Sequence, residues 1–266
     1  MQDVRPAAVA GMFYPDAPER LARDVRDYLA AVAPCEARPP KAVIVPHAGY
    51  VYSAPIAACA YARLAPLRDT VSRVVLLGPT HRVPVRGLAT TSASAFATPL
   101  GTVTIDRAAV ERALTLPQVV IKDASHAAEH ALEVQLPFLQ TVLREFSLVP
   151  FAVGDATARE VADVVDLLWG GAETLIVVSS DLSHYHGYDV ARRLDSATAD
   201  TILAMTPKLD HDQACGATPI NGLIMCAQAR GLSPALLDLR NSGDTAGDRS
   251  RVVGYASFAF TSHDRA

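Results

Sequence analysis

The 266-residue sequence predicts an α/β layered domain, with a central mostly parallel or mixed sheet flanked by helices. Two observations carry this expectation. Short apolar runs rich in β-branched residues have no polar face, as strands buried on both sides of a sheet require. Helix-length amphipathic stretches lie between them, and strands alternating with helices build a layered α/β core.

Taken in order, residues 41–46 (KAVIVP), 73–78 (RVVLLG), 148–154 (LVPFAVG) and 174–179 (TLIVVS) are the buried strands. A helix is expected over 54–64, opened by Ser53 as its cap with Pro55 in the first turn. Further helices are expected over 107–114, 129–145, 158–169, 190–205 and 220–230. Pro137 falls inside 129–145, so that helix is kinked or begins later, because proline has no N–H and clashes with the preceding turn. Residues 97–106 (ATPLGTVTID) read as a hairpin, and 236–240 and 252–260 as closing strands. No linker, repeat or low-complexity segment divides the chain, so one domain over 1–266 is expected.

Half of the residues are apolar and a fifth are charged, which permits a sizeable core and excludes general disorder. Twenty-four Lys and Arg against 28 Asp and Glu leave a net charge of −4 with no basic stretch, which argues against nucleic-acid binding. The three lysines (Lys41, Lys122, Lys208) stand away from the candidate chemistry, so a Schiff base is not expected. No run approaches the roughly 20 apolar residues of a membrane span. The opening residues lack the cleavage pattern of a secretory signal. Cys35, Cys59, Cys215 and Cys226 form no CxxC and read as reduced thiols, so a cytoplasmic location is expected.

The chemistry is expected at the strand ends. The first buried strand leads directly to His47, the second to His81, and the 174–179 strand to Asp181 and His184. Ligands of open α/β sheets bind beyond the carboxyl ends of the strands, so these imidazoles can converge there. Convergent neutral imidazoles suit a divalent transition metal, usually with a carboxylate or thiolate added. Cys215 is the thiolate candidate, since it precedes an expected helix whose N-terminus would lower its pKa. Cys59 and Cys226 fall on apolar helix faces and Cys35 in a Pro-rich segment, so these three read as packing residues. His126 and His130 are spaced to share one helix face, but the Glu that H-E-x-x-H requires after the first histidine is absent. His186 reads as a loop residue and His211 and His263 as solvated ones. Tyr50 and Tyr52 could equally line a pocket or pack in the core.

Several motifs together resemble the Memo-like family, called AmmeMemoRadiSam system protein B in bacteria and archaea. They are Arg5-Pro6-Ala7-Ala8-Val9-Ala10-Gly11-Met12-Phe13-Tyr14-Pro15, His47-Ala48-Gly49-Tyr50, Gly78-Pro79-Thr80-His81, Ser179-Ser180-Asp181-Leu182-Ser183-His184, and Cys215-Gly216 with Pro219-Ile220. The resemblance runs from about Val4 to Phe260 and implies a fold similar to the LigB-type class III extradiol dioxygenases, which bind Fe(II) through two histidines and a glutamate. It implies His47, His81 and Cys215 as metal ligands and His184 as the acid/base, with Asp181 beside it. Glu129-His130-Ala131-Leu132-Glu133 resembles the family's Glu-His-Ser pattern, which gives His130 a catalytic or substrate-bonding role. A cysteine in place of the glutamate departs from the dioxygenase set and also suits Cu(I) or Zn(II).

Three functions are therefore expected to compete. The first is an Fe(II)-dependent, dioxygenase-like oxidoreductase acting on a small aromatic substrate. The second is a non-catalytic redox or copper-handling protein serving a partner; the family's association implies AMMECR-domain and radical-SAM proteins. The third is a hydrolase using zinc-bound water, or Cys215 as nucleophile with His184 as base.

Overall fold

The computed structural model describes residues 3–35 and 37–262, so His263 lies outside the described residues. The chain begins with β1 (Val4–Arg5), α1 (Pro18–Ala30), β2 (Ala42–Val45), α2 (Tyr50–Tyr61) and β3 (Arg73–Pro79). Next come β4 (Leu88–Thr90), β5 (Ala95–Thr98), β6 (Gly101–Thr104), α3 (Arg107–Ala113), β7 (Val119–Ile121), α4 (Ala124–Ala127) and α5 (Leu136–Val142). The rest is β8 (Ser147–Val153), α6 (Ala158–Leu167), β9 (Thr174–Ser179), β10 (His184–His186), α7 (Tyr188–Leu203), α8 (Ala217–Ala229), β11 (Leu232–Asn241), α9 (Ser242–Thr245) and β12 (Val252–Ser262).

The four expected strands became β2, β3, β8 and β9. They lie side by side in the order β2–β9–β3–β8, all parallel, with Val45 opposite Ser179 and Leu77 opposite Val178. Antiparallel β12 extends the sheet beyond β2 and carries β10 and β11; antiparallel β4 extends it beyond β8 and carries β7. The sheet is therefore mixed. A smaller sheet, β1–β5–β6, contains the expected hairpin. Residues 42–45, 74–77 and 175–178 are buried throughout, because helices cover both faces. Helix α2 packs on β2 and β12 and is backed by α1 and α5, while α6 and α8 pack together with α8 against β3 and β9. Among the described residues no helix is long and apolar enough to cross a membrane.

Several local expectations are corrected or refined. Helix α2 starts at Tyr50, with Gly49 at the N-cap and Pro55 inside the helix; Ser53 does not cap it and donates to the Ala48 carbonyl at 2.8 Å. The cause is tertiary. The Tyr50 ring is buried against Tyr14 and Phe138, and its O–H donates to the Val134 carbonyl at 2.7 Å, which draws the helix back to that residue. The 129–145 helix begins later, as Pro137 allowed: one 3-10 turn (Glu133–Gln135) leads into α5 with the proline in its first turn. His186 lies in β10 rather than in a loop. Helix α1 was not expected, because Leu21 and Val25 are its fully buried anchors in an otherwise polar stretch.

Helix α7 fixes the loop after β9. The buried Asp195 carboxylate accepts the Ser183 N–H at 3.0 Å and lies on Gly254 of β12, where an added Cβ would come within 2.1 Å of its Oδ2. Gly254 in turn accepts from Leu182 N–H and donates to the Ser183 carbonyl, both at 2.8 Å. Glycine is needed here for space, so Gly254→Ala should destabilise the protein by about 2–3 kcal/mol, the upper range for overpacking. Urea unfolding reads this as a lower midpoint at unchanged slope, and a change below about 0.5 kcal/mol would contradict the packing described.

Candidate metal centre and cleft

Because β2, β9 and β3 are parallel neighbours, their carboxyl ends lie in a row. His47, Asp181 and His81 each stand two residues past the end of one of them. The loop between α4 and the 3-10 turn brings in His130. The ring centroids of His47 and His81 are 5.3 Å apart, those of His47 and His130 5.3 Å, and those of His81 and His130 4.7 Å. One ring nitrogen from each of these three histidines falls within 4.8 Å of the other two, close enough to share a metal ion.

The neighbours decide which nitrogen of His47 is free. Gln135 Nε2 donates to the Pro46 carbonyl at 2.9 Å and to Ser179 Oγ at 2.8 Å, while Tyr61 O–H donates to Gln135 Oε1 at 2.8 Å. Ser179 spends its single proton on the Ala131 carbonyl at 2.6 Å. Its oxygen can therefore only accept from His47 Nδ1, 2.8 Å away, which leaves the Nε2 lone pair free. Glu129 acts similarly on His81, accepting from its Nδ1 at 2.8 Å and from its backbone N–H at 2.5 Å. Burial alone would raise the Glu129 carboxyl, but the His81 bonds and charge and the Ala131 N–H bring it down to about 2. An ionised carboxylate only accepts, so His81 also presents Nε2.

The imidazoles are neutral where they are most buried. Burial, then the neighbouring His81, pushes His47 down to about 3; burial, then His47, pushes His130 down to about 4. His130 Nδ1 is buried without a hydrogen bond and lies 3.3 Å from Glu129 Oε1. Neutral rings with oriented lone pairs fit a divalent transition metal.

Cys215 does not belong to the close three-histidine set, although its Sγ lies 3.3 Å from His47 Nε2. The expected helix-terminus effect is overturned. Burial and then the Asp181 charge push this thiol up to about 12, and its S–H can donate to the Asp181 carbonyl 3.6 Å away. Its turn packs tightly on the end of β9, since an added Cβ at Gly216 would meet the Ser180 Cβ at 2.6 Å. Asp181 is buried and its carboxyl raised by that burial, against the His47 N–H it accepts at 2.7 Å. It therefore holds the backbone of His47, whereas Ser179 and Glu129 orient the rings. His184 opens β10 opposite Val253 of β12.

His47, His81, His130, Asp181 and His184 all line one cleft of about 690 Å³, with Phe13, Tyr52, Tyr185 and Tyr255 on its walls. Tyr52 thus faces the cleft, whereas Tyr50 belongs to the core. The predicted His126–His130 helix face does not form, because α4 ends at Ala127 and His126 turns away to donate from Nε2 to the Ala89 carbonyl at 3.0 Å. Strand-end reasoning missed Glu129 and the place of His130 in the trio, since both sit on a loop far from any strand end; the Glu129-His130 motif was the available signal.

A buried clamp holds that loop. Arg5 pairs with Glu133 at 2.6 Å and donates to the His126 and Glu129 carbonyls at 2.7 and 2.8 Å. Glu133 also accepts from Ala8 N–H at 2.8 Å, Val9 N–H at 3.0 Å and Tyr14 O–H at 2.5 Å.

The Memo-like protein family model matches residues 5–259. A MEMO1 family protein of Aquifex aeolicus (strain VF5) is 36% identical over 269 residues, covering 97% of this chain and 99% of the relative. Those of Archaeoglobus fulgidus and Methanosarcina acetivorans are 36% and 38% identical, covering 97% and 96% of this chain and 99% and 98% of the relatives. Among solved structures, an uncharacterized protein from Escherichia coli K12 superposes with a TM-score of 0.54 over 82% of this chain and 98% of its own, at 11% identity, which shows a shared fold.

Two expectations follow from this chemistry. Glu129→Gln removes the anionic acceptor of His81, so metal affinity should fall about 10–100-fold with the fold retained, as read by competition with a chelator; an unchanged affinity would remove Glu129 from the centre. Burial pushes His126 down to about 4 from the ordinary 6.5. The unfolded chain thus takes up its proton first as pH falls, so this contribution is complete above pH 6.5 and lost below it, by about 2 kcal/mol at pH 5. His126→Gln should flatten the pH 7-to-5 drop in urea midpoint of the metal-free protein, and an equally steep drop would overturn the assignment.

Proposed function

We propose that this chain, which belongs to the Memo-like family, is a metal-dependent, dioxygenase-like oxidoreductase acting on a small aromatic substrate. The observation that carries this reading is the convergence of three histidine donors on the cleft that also holds His184 and Asp181. His47 and His81 would hold the ion through Nε2, with His130 as third donor and Cys215 beside them. Fe(II) is the ion this reading favours, supplying electron exchange with O₂ and acidification of a bound phenol.

The protein's own residues do the rest. Ser179 and Glu129 keep two lone pairs aimed into the cleft, so little reorganisation accompanies loading. His184, on the same cleft but outside the donor trio, takes the proton of a substrate hydroxyl and returns it to the product. Asp181 fixes the His47 backbone and lines the same cleft as His184. Tyr52 and Tyr255 offer apolar walls for a ring.

One observation favours a second reading. The Cys215 sulfur against His47 Nε2 adds a soft donor, which suits Cu(I) or Zn(II) and thus a copper-handling partner of AMMECR-domain and radical-SAM proteins, or a zinc hydrolase. A thiol held near 12 weakens the version in which Cys215 itself is the nucleophile.

Metal content and catechol-dependent O₂ uptake, measured on the same anaerobic preparations, separate these roles. His47→Ala, His81→Ala and His130→Ala should each lose most iron, and Cys215→Ser should weaken Cu(I) and Zn(II) more than Fe(II). His184→Ala should keep its iron and lose turnover by about 10²–10⁴-fold, the range for a positioned proton-transfer group. If His184→Ala loses iron as completely as His47→Ala, it is a ligand; if iron-loaded wild type consumes no O₂ with any aromatic diol, the copper-handling reading takes precedence.

A further inference from the structure

A second cavity, of about 530 Å³, lies apart from the metal cleft and shares no lining residue with it. Tyr28 of α1, Pro55 of α2, Arg63 of the 3-10 turn that follows, and Leu236, Leu237 and Arg240 of β11 stand on its walls. Two consecutive residues of a regular strand point to opposite faces and cannot share a wall. Here the register of β11 against β12 shifts between Leu236 and Asp238, which leaves Leu237 as the extra residue of a β-bulge. Both leucines therefore line the one cavity, and Leu236 remains 36% exposed. Bulges re-aim side chains in this way where a strand serves a site.

The polar side of the cavity carries one positive charge more than its acid neutralises. Arg240 is engaged with Asp238, whose carboxylate accepts from Nε at 3.0 Å and also lies 3.6 Å from Cys59 Sγ. Burial, then the Asp238 charge, pushes the Cys59 thiol up to about 11, so it stays neutral and adds no charge. Arg63 is half-buried, yet among the described residues it forms no ion pair. Holding a cation partly out of water without a counter-charge is costly, and a guanidinium fork matches the two oxygens of a carboxylate.

We propose that this cavity binds a medium-chain aliphatic monocarboxylate. Its chain lies along Leu236, Leu237 and Pro55, and its carboxylate takes the Arg63 fork. One uncompensated charge matches a monoanion better than a phosphate ester, and Tyr28 is the single aromatic side chain on the walls, so a flexible chain fits better than a stacked ring. The site stands on β11 and α2 and needs no metal ion, so it is independent of the oxidoreductase reading.

The test is isothermal titration of the metal-free full-length protein with octanoate and with its uncharged counterpart 1-octanol, at neutral pH and low salt. Octanoate should bind saturably and about tenfold or more tighter than the alcohol, as a charge-assisted bond supplies. Arg63→Gln should erase most of that preference while leaving the octanol affinity unchanged, and Leu236→Asn, at a partly exposed position, should weaken both ligands. In amide shift mapping, octanoate should move the signals of Arg63 and Leu237 and leave those of His47 and His184 in place. No saturable octanoate binding, equal affinity for acid and alcohol, or an unchanged preference in Arg63→Gln overturns the proposal. So does a shift map centred on the metal cleft.

Discussion

One buried carboxylate makes the site more than a pair of strand-end histidines. The parallel strands alone deliver His47 and His81, but His130 and Glu129 stand on a loop with no regular structure to hold it. Glu133 anchors that loop from beneath, taking donors from Arg5, Ala8, Val9 and Tyr14, while Arg5 also ties down two of the loop's carbonyls. A buried ion pair gains little over an apolar pair when its geometry is loose, and removing one partner leaves the other charge uncompensated. Here each oxygen of Glu133 has two donors, so the pair's main effect is to specify one arrangement of the loop.

The two oriented imidazoles are supported differently. His47 donates to a neutral serine hydroxyl at the end of a relay through Gln135 and Tyr61; His81 donates to an ionised carboxylate. An anionic acceptor makes the opposite nitrogen the better electron donor. The centre is thus built asymmetric, with the stronger histidine on the more open side: the His81 side chain is 30% exposed, whereas His47 is buried.

What the sequence made legible and what it hid divide along physical lines. Runs buried on both faces identify parallel strands, and the shared carboxyl edge then places His47, His81 and Asp181 together, because that step needs only strand direction. The loop residues Glu129 and His130 obey no period, so their position depends on contacts with Arg5 and the N-terminal segment more than a hundred residues away. For Cys215 the local rule pointed the wrong way. A helix N-terminus stabilises a thiolate in water, but burial beside the Asp181 carboxylate outweighs it. Tyr50 overrode the start of α2 for a similar reason: a core contact outweighed the local capping preference.

The clamp between Arg5 and Glu133 also sets a timetable. Its partners are 128 residues apart in the chain, and β2 cannot meet β9 or β12 until those later strands exist. At translation rates of roughly 5–20 residues per second, Arg5 waits roughly 6–26 s before Glu133 is even synthesised. The histidines leave the ribosome long before the ring orientations that Ser179 and Glu129 impose. A nascent chain therefore carries its imidazoles scattered and unaligned, and the three rings come together only once β9 has joined the sheet and Glu133 has closed the clamp.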